Sequence, residues 1–232
     1  MASKELDQIV CALGRQVQSH IDAPNTLSEF RDLVLSPALR TLLTDVLEAP
    51  AGKATLANSS QIHPNSFVKI PLVAAPNGAK LVIHRWLDLP VANPDFHNHR
   101  WNFVSTVLSG SLASVDYRSM TDPNGPFVQS AYESATDRDE YPLVPVGRSQ
   151  LTPVRHHSVS AGDWYAQDHR IIHGAGSAKP GTISLILQGE VSVETCQVFR
   201  PLGADPSSTP VVAATELEVT SSIRLVLNFL EH

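Results

Sequence analysis

The feature that most constrains this chain is the pattern His97-x-His99, which opens a strand-like stretch running through residues 100–110. Side chains alternate between the two faces of an extended strand, so histidines one residue apart face the same side. Two imidazoles on one face can therefore reach a single metal ion. Trp101 and Phe103 share the parity of the histidines, which predicts that all four side chains line the interior of a closed or half-closed barrel.

A second stretch, residues 162–173, begins with Gly162 and ends with His173. Together the two stretches resemble the paired motifs of the cupin superfamily. The first family motif places a glycine after its two histidines, where Gly110 stands in this chain. The second spans a glycine and a histidine eleven residues later, as this stretch does. Phe103 occupies the position at which the family usually carries a glutamate.

The resemblance implies a mainly β fold, a cupin jelly-roll barrel with N-terminal helices and a C-terminal helix. It also implies that His97, His99 and His173 bind one divalent metal ion, and imidazole suits Fe, Ni, Cu and Zn alike. A three-histidine set without the glutamate resembles the iron-dependent thiol dioxygenases and the diketone-cleaving and gentisate-type dioxygenases. This favours Fe(II), with Ni, Zn, Mn or Cu as alternatives. Val104 stands where a cysteine dioxygenase would carry a cysteine, so thiol oxidation is only one of the reactions left open.

Composition excludes several other classes of protein. The chain has 232 residues, of which 42% are hydrophobic, enough for a sizeable core. Its net charge of −6 and the lack of a basic run argue against nucleic acid or an anionic membrane as partner. No signal peptide and no stretch of about 18 apolar residues is evident, which predicts a cytoplasmic protein. Cys11 and Cys196 lie far apart, and we expect free thiols rather than a disulfide.

Hydrophobic periodicity, together with the resemblance to cupins, predicts three parts. Residues 1–65 form a helical extension and linker, residues 66–203 the cupin barrel, and residues 204–232 a connector and a C-terminal helix. We expect the N-terminal helices to pack outside the barrel or to form the contact of a homodimer.

The helical extension carries its own start and stop signals. Residues 26–29 have the pattern of a capping box that would begin a second helix. Ser36-Pro37 is typical of an N-cap followed by proline at the first helical position, which predicts a third helix. Residues 51–65 are mostly small and polar, and they predict a linker or a lid.

In the barrel region, Pro76-Asn77-Gly78 predicts a hairpin turn between strands over residues 67–75 and 79–87. Residues 119–148 predict a long irregular insert, either a lid over a pocket or a disordered segment. Further strands are predicted over residues 149–159, 164–167, 182–188 and 192–200.

Three further residues are candidates for catalysis. His169 lies four residues before His173, so an uninterrupted strand would place it on the same inward face, as a ligand, an acid–base group or a rim residue. Arg85 or its neighbour His84 could anchor a substrate carboxylate, for which a guanidinium is well suited. Tyr165 lies within the second motif, where a tyrosine serves either the core or the reaction.

These observations predict a mononuclear non-heme iron oxygenase or dioxygenase whose partners are a small polar metabolite and dioxygen. In such sites the metal and the substrate carry the redox chemistry, while the protein supplies orientation. Two alternatives stay open, because one fold hosts many chemistries. The first is a non-redox metal-dependent isomerase or lyase, and the second is a metal-free small-molecule-binding cupin.

Overall fold

The structure, a computed structural model, describes residues 2–88, 95–132, 140–141, 143–204 and 209–231. The five helices within this part are α1 (Ala2–Ser19), α2 (Pro24–Val34), α3 (Pro37–Glu48), α4 (Pro50–Ser59) and α5 (Glu216–Glu231). The strands are β1 (Gln61–His63), β2 (Phe67–Ala74), β3 (Lys80–Trp86), β4 (Phe96–His97), β5 (Phe103–Ser109), β6 (Ser111–Thr121), β7 (Phe127–Tyr132), β8 (Glu140–Tyr141), β9 (Leu143–Ser160), β10 (Trp164–Gln167), β11 (Ile172–Ala178), β12 (Ile183–Gln188), β13 (Cys196–Pro201), β14 (Thr209–Pro210) and β15 (Val212–Ala213).

The strands form two larger antiparallel sheets. The first sheet has the order β10-β5-β12-β3-β2-β1-β15. The second has the order β11-β4-β13-β7-β9-β6, and it closes on itself because β6 also pairs with β11. Strands β8 and β14 pair with each other apart from both sheets. The chain is therefore mainly β, as the sequence predicts.

The first sheet has one face against the helices and one face against a cavity. Alternate residues of its central strands, such as Ile70, Ile83 and Leu185, are fully buried in one cluster with helix residues such as Phe30 and Val219. The side chains between them, which include Phe67 and His84, point the other way and line the cavity. The alternation predicted for these strands is thus what gives the molecule an apolar core on one side and a site on the other.

The helix starts agree with the sequence at one place and differ at another. Ser36 caps α3, since its Oγ accepts a hydrogen bond from the Leu39 amide at 3.2 Å, and Pro37 follows it. The capping box predicted at residues 26–29 is wrong, because α2 begins at Pro24 and its N-cap, Ala23, has no capping side chain. Proline at the first helical position already fixes the backbone there.

Two predictions of irregular structure are wrong. The linker expected over residues 51–65 is instead helix α4 followed by β1, and β1 extends the first sheet by pairing with β2 and β15. The insert expected over residues 119–148 is largely ordered β structure, since β6, β7 and β9 pair through it. Residues 133–139 and 142 of that insert lie outside the described residues.

Other predictions are confirmed. The hairpin between β2 and β3 turns at Gly78, whose φ of +85° is the left-handed conformation that glycine favours. Strand β10 and helix α5 lie where the sequence predicts them. Cys11 and Cys196 are free thiols. Among the described residues, no helix combines the length and the apolar character needed to cross a bilayer.

Candidate metal centre

Three histidines from separate positions of the chain come together at one end of the cavity. His97 ends β4, His99 follows it, and His173 lies on β11 directly opposite His97 in the register of the second sheet. One ring nitrogen from each of the three lies within 4.8 Å of the others. The ring centroids are 4.9, 5.0 and 5.1 Å apart. The pairing of β4 with β11 is what joins the two motifs.

The spacing of these nitrogens fits a metal ion. The Nε2 atoms of His99 and His173 are 3.0 Å apart. Two nitrogens bound at about 2.1 Å and at right angles to each other would be about 3.0 Å apart. Nitrogens at a tetrahedral angle would be about 3.4 Å apart. Without an ion, one imidazole could donate a hydrogen bond to the other at the same distance. The cluster could therefore hold a divalent metal ion with three adjacent nitrogens.

The backbone next to the cluster fixes the orientation of His97. Its Nδ1 lies 3.2 Å from the carbonyl oxygen of Asp95, which can only accept, so Nδ1 carries the proton and Nε2 keeps its lone pair. The Asp95 carboxylate is in turn held by Arg200, whose Nε and Nη2 donate to its two oxygens at 2.6 and 3.1 Å. This two-point contact anchors the segment from which His97 projects.

Burial keeps the cluster neutral. It lowers the pKa of His97 and of His99, and the neighbouring histidines lower the latter further. Burial, together with His97 and His157, lowers the pKa of His173 to about 3. A neutral imidazole offers its lone pair to a metal without first losing a proton. The three side chains are thus prepared as ligands at neutral pH.

The cluster opens into a cavity of about 510 Å³ that lies between the two sheets. Its walls are largely aromatic around the histidines, and they include Phe67, Trp86, Trp101, Phe103 and Tyr165. Phe103, at the position where the family motif has glutamate, meets His99 edge to face at 5.1 Å. A phenyl ring there offers no ligand and keeps one side of the cluster dry. The expected parity of Trp101 and Phe103 with the histidines is confirmed.

Tyr165 lies in this cavity, on β10 opposite Ser105 of β5. Its ring packs against Phe103 with centroids 6.1 Å apart. Burial raises the pKa of its hydroxyl, so this group stays protonated and can donate a hydrogen bond. The structure therefore brings Tyr165 and the three histidines into one space.

Arg85 and His84 point in opposite directions from β3. The Nη1 atom of Arg85 donates to the Ser221 hydroxyl of α5 at 3.1 Å, on the helix side of the sheet. His84 lines the cavity and stacks on Phe67 with centroids 4.2 Å apart. Alternation showed that one of the two faces inward but not which one. Of this pair, the group available to a ligand in the cavity is His84.

His169 does not share the strand of His173. Strand β10 ends at Gln167 and β11 begins at Ile172, so His169 lies in the turn between them. Its amide and its Nδ1 lie 2.8 and 2.9 Å from the Oδ1 of Asn102. Its side chain borders a separate shallow pocket beside the α1–α2 loop. The expectation of an uninterrupted strand is wrong, and the turn takes this imidazole away from the main cavity.

Three cavity residues were not singled out by the sequence. Lys69 on β2 lies opposite His84, and Arg100 lies beside the first motif. His157 on β9 also lines the cavity, with its Nε2 3.5 Å from the Oδ1 of Asp116. The parity of β9 could have suggested His157, but only the pairing of β9 with β6 shows which face is inward.

Comparisons with known proteins add little. No family model matches the chain, and no curated protein does. It is similar to HppE with Fe(II) and the alternative substrate (S)-1-HPP, at 17% identity and a TM-score of 0.29, over 53% of this chain and 49% of that one. It is also similar to HppE with Co(II) in complex with substrate, at 13% identity and a TM-score of 0.30, over 82% of this chain and 99% of that one. The chain spans about half the length of the first of these structures. Likenesses this weak leave the function of the chain to the geometry of its own side chains.

Proposed function

We propose that the chain is a metal-dependent cupin enzyme, a mononuclear non-heme iron oxygenase or dioxygenase that acts on a small polar metabolite. The observation that carries the proposal is the cluster of His97, His99 and His173, neutral and half-buried at one end of a closed-in cavity. Three neutral imidazoles whose ring nitrogens converge on one point are a typical ligand set for a divalent metal ion. A metal ion satisfies all three at once.

The proposed fold is the cupin jelly roll. Two antiparallel sheets enclose the cavity, and the proposed ligands lie on β4 and β11 and just after β4. This placement of the ligands supports the jelly roll, because the two stretches that resemble the cupin motifs meet where β4 pairs with β11. The homodimer, the cytoplasmic location and the boundaries at residues 65 and 203 remain predictions from the sequence.

In this proposal the histidines hold the ion through nitrogens that need no deprotonation. When bound, Fe(II) supplies open coordination positions and the redox chemistry for dioxygen and substrate. Phe103 excludes water from the side of His99, and the aromatic wall gives the substrate a dry pocket. Tyr165 keeps its proton and donates it in a hydrogen bond to a substrate oxygen.

A second function is favoured by one observation. His157 and Asp116 lie 3.5 Å apart, with Asp116 opposite His173 in the register of β6 and β11. An imidazole supported by a buried carboxylate is a common arrangement for moving protons. A non-redox isomerase or lyase would need such a group, whereas oxygen insertion does not require it. In that reaction His157 takes or gives the proton and the metal acts as a Lewis acid.

The test combines metal analysis with dioxygen uptake. The purified protein should contain about one metal ion per chain. The Fe(II)-loaded protein should consume dioxygen when a panel of small organic acids and alcohols is offered. Metal in stoichiometric amount without dioxygen uptake, but with conversion of a panel member, would favour the isomerase or lyase. If the chain binds no metal, the remaining alternative is a metal-free protein that binds a small molecule.

A further inference from the structure

The cavity contains cationic groups that the histidine cluster does not use. Lys69 of β2 and His84 of β3 are direct cross-strand neighbours, and both line the cavity. Directly opposite residues of an antiparallel pair face the same side, so the two side chains lie next to each other. Among the described residues, the carboxylates that line the cavity have other partners: Asp95 is held by Arg200, and Asp163 accepts from the Ser160 amide in a turn.

One ring nitrogen of His84 has an unsatisfied hydrogen-bonding capacity. Its Nε2 is buried and has no hydrogen-bond partner among the described residues. Its ring cannot turn to find one easily, because it is stacked on Phe67, which is itself stacked on His63 with centroids 4.4 Å apart. A buried polar atom without a partner is uncommon in proteins and usually marks a place for water or a ligand.

Lys69, across the strand pair from His84, carries a half-buried ammonium group. Burial, with smaller effects of Lys80 and Arg100, lowers its pKa to about 8, so it is still mostly charged at neutral pH. Its Nζ atom makes no hydrogen bond or ion pair with any of the described residues. Arg100, the other cation nearby, has its guanidinium over the rings of Trp101 and Tyr132 at 5.3 and 5.8 Å. Lys69 is therefore a cation of this wall whose ammonium group has no partner among the described residues and can meet an anion.

We infer that Lys69 and His84 form a carboxylate subsite, so that the substrate of the proposed enzyme is a small organic acid with an apolar or aromatic body. One carboxylate oxygen accepts from Nζ of Lys69 and the other from Nε2–H of His84. Phe67 and Trp86 flank the pair and offer apolar surface to the body of the acid. Two donors match the two oxygens of a carboxylate, whereas a phosphate would leave a third oxygen without a partner. The inference rests on the proposed function for the meaning of "substrate", but binding of the acid does not depend on the metal.

This arrangement keeps the acid group off the histidine cluster. Lys69, His84 and His99 line the same cavity, so the subsite and the cluster belong to one space. A molecule held at its carboxylate by the first sheet presents its other end to the cluster. The reacting carbon would then be chosen by its distance from the acid group.

The probes are benzoate and acetate, each paired with its neutral amide. Binding is measured by calorimetry and by tryptophan fluorescence, on the protein as purified and after dialysis against a chelator. The acids should bind both preparations, and the amides should bind at least about ten-fold more weakly, since a hydrogen bond to a charged group is lost. Lys69→Met should weaken acid binding about ten- to a hundred-fold. Lys69→Arg should restore most of it.

Two variants complete the design. His84→Phe keeps the stack on Phe67 but removes the nitrogen, and it should also weaken acid binding without changing amide binding. Lys80→Met removes a cation from an exposed position outside the cavity and should leave both unchanged. Circular dichroism confirms that each variant is folded.

Three results would overturn the inference. The first is equal binding of acids and amides, the second is unchanged acid binding in folded Lys69→Met, and the third is no binding of either acid by the wild-type protein at millimolar concentration. Acid binding that requires the metal and ignores Lys69 would place the carboxylate on the ion, which removes the subsite but leaves the proposed function intact. Acid binding that depends on Lys69, in a protein that takes up no metal ion even when one is added, would keep the subsite and remove the proposed function.

Discussion

At the scale of single residues, the site depends on groups that touch no ligand. Asp95 offers its carbonyl to His97 while its carboxylate is held by Arg200, so one residue links the orientation of an imidazole to a buried ion pair. Both charged side chains are only 10–12% exposed. Removing one partner of such a pair leaves the other charge buried without compensation. The position of His97 is therefore tied to the stability of this pair.

Replacing Arg200 by glutamine should lower the free energy of unfolding by about 2–4 kcal/mol, because Asp95 loses its two-point partner. Adding Asp95→Asn to that variant should recover part of the loss, since the unpaired charge is removed. Urea unfolding measures both. The matched control is Arg170→Gln, which breaks the same kind of two-point contact, to Asp168, at a site where the arginine is 78% exposed. It should change stability little, and an equal effect at the two arginines would contradict this account.

At the scale of elements, the sequence predicted those helices, strands and turns whose formation is determined by a local residue pattern. Helix α5, strand β10 and the β2–β3 hairpin follow from periodicity and turn chemistry, and the two motifs were correctly brought to one place. Helix α4 was missed because its small residues carry almost no amphipathic signal, and tertiary packing decides its conformation. The ordered insert was missed because turn-forming residues at 122–126 only connect β6 to β7.

The candidate site, like the secondary-structure elements, was predictable only as far as local sequence patterns determine it. Alternation pointed to His97 and His99, and the resemblance to the second cupin motif pointed to His173; the structure brings the three together. Alternation could not choose between His84 and Arg85, because it says that neighbours face opposite sides but not which side is inside. Lys69 and His157 are brought to the cavity by long-range strand pairing, which local sequence patterns do not reveal.

Asn102 connects several elements around the first motif. Its Nδ2 donates to the carbonyl oxygen of Gln18 at the end of α1 at 3.0 Å, and its Oδ1 accepts from the amide of His169 in the β10–β11 turn. The same turn also anchors the backbone of His99, whose amide donates to the carbonyl oxygen of His169 at 3.0 Å. Asn102 is only 5% exposed, so its bonds are not replaced by water when they are lost.

Replacing Asn102 by alanine should lower the free energy of unfolding by about 2–4 kcal/mol and weaken metal binding, because the loop that carries His99 loses its attachment. Metal affinity is read from competition with a chelator, and stability from urea unfolding. Asn124→Ala, at an exposed turn of the β6–β7 hairpin, is the control and should change neither. A folded Asn102→Ala protein with unaltered metal affinity would show that the attachment does not position His99.

At the scale of the whole molecule, the apolar core and the site occupy opposite faces of the first sheet. The core that joins the helices to that sheet is a cluster of hydrophobic side chains. The other face of that sheet and the second sheet across the cavity carry histidines whose pKa values are lowered mainly by burial, namely His63, His84, His97, His99 and His173. The stability of the metal-free protein should therefore depend on pH through the site and not through the core.

The sign of this dependence follows from the protons bound in each state. Below about pH 6.5 the unfolded chain protonates its histidines, while His173 stays neutral in the folded chain down to about pH 3. The unfolded state then binds more protons, so stability is complete above about pH 6.5 and is lost as the pH falls. At pH 5 one such histidine costs about 2 kcal/mol. In metal-free protein, urea unfolding at pH 7 and pH 5 should show this loss, a smaller loss in His84→Phe, and the wild-type loss in His156→Ala, whose imidazole is exposed. Equal stability at the two pH values would contradict it.

The central claim is that His97, His99 and His173 hold one metal ion, and metal content per chain tests it most directly. Elemental analysis of the purified protein should give about one equivalent in the wild type. The same analysis should find little metal in His99→Ala and His173→Ala, because two histidines rarely hold a divalent ion. His169→Ala should keep near-full content, since its side chain lies outside the cavity. Full content in folded His99→Ala and His173→Ala, or an empty site in His169→Ala alone, would contradict the account.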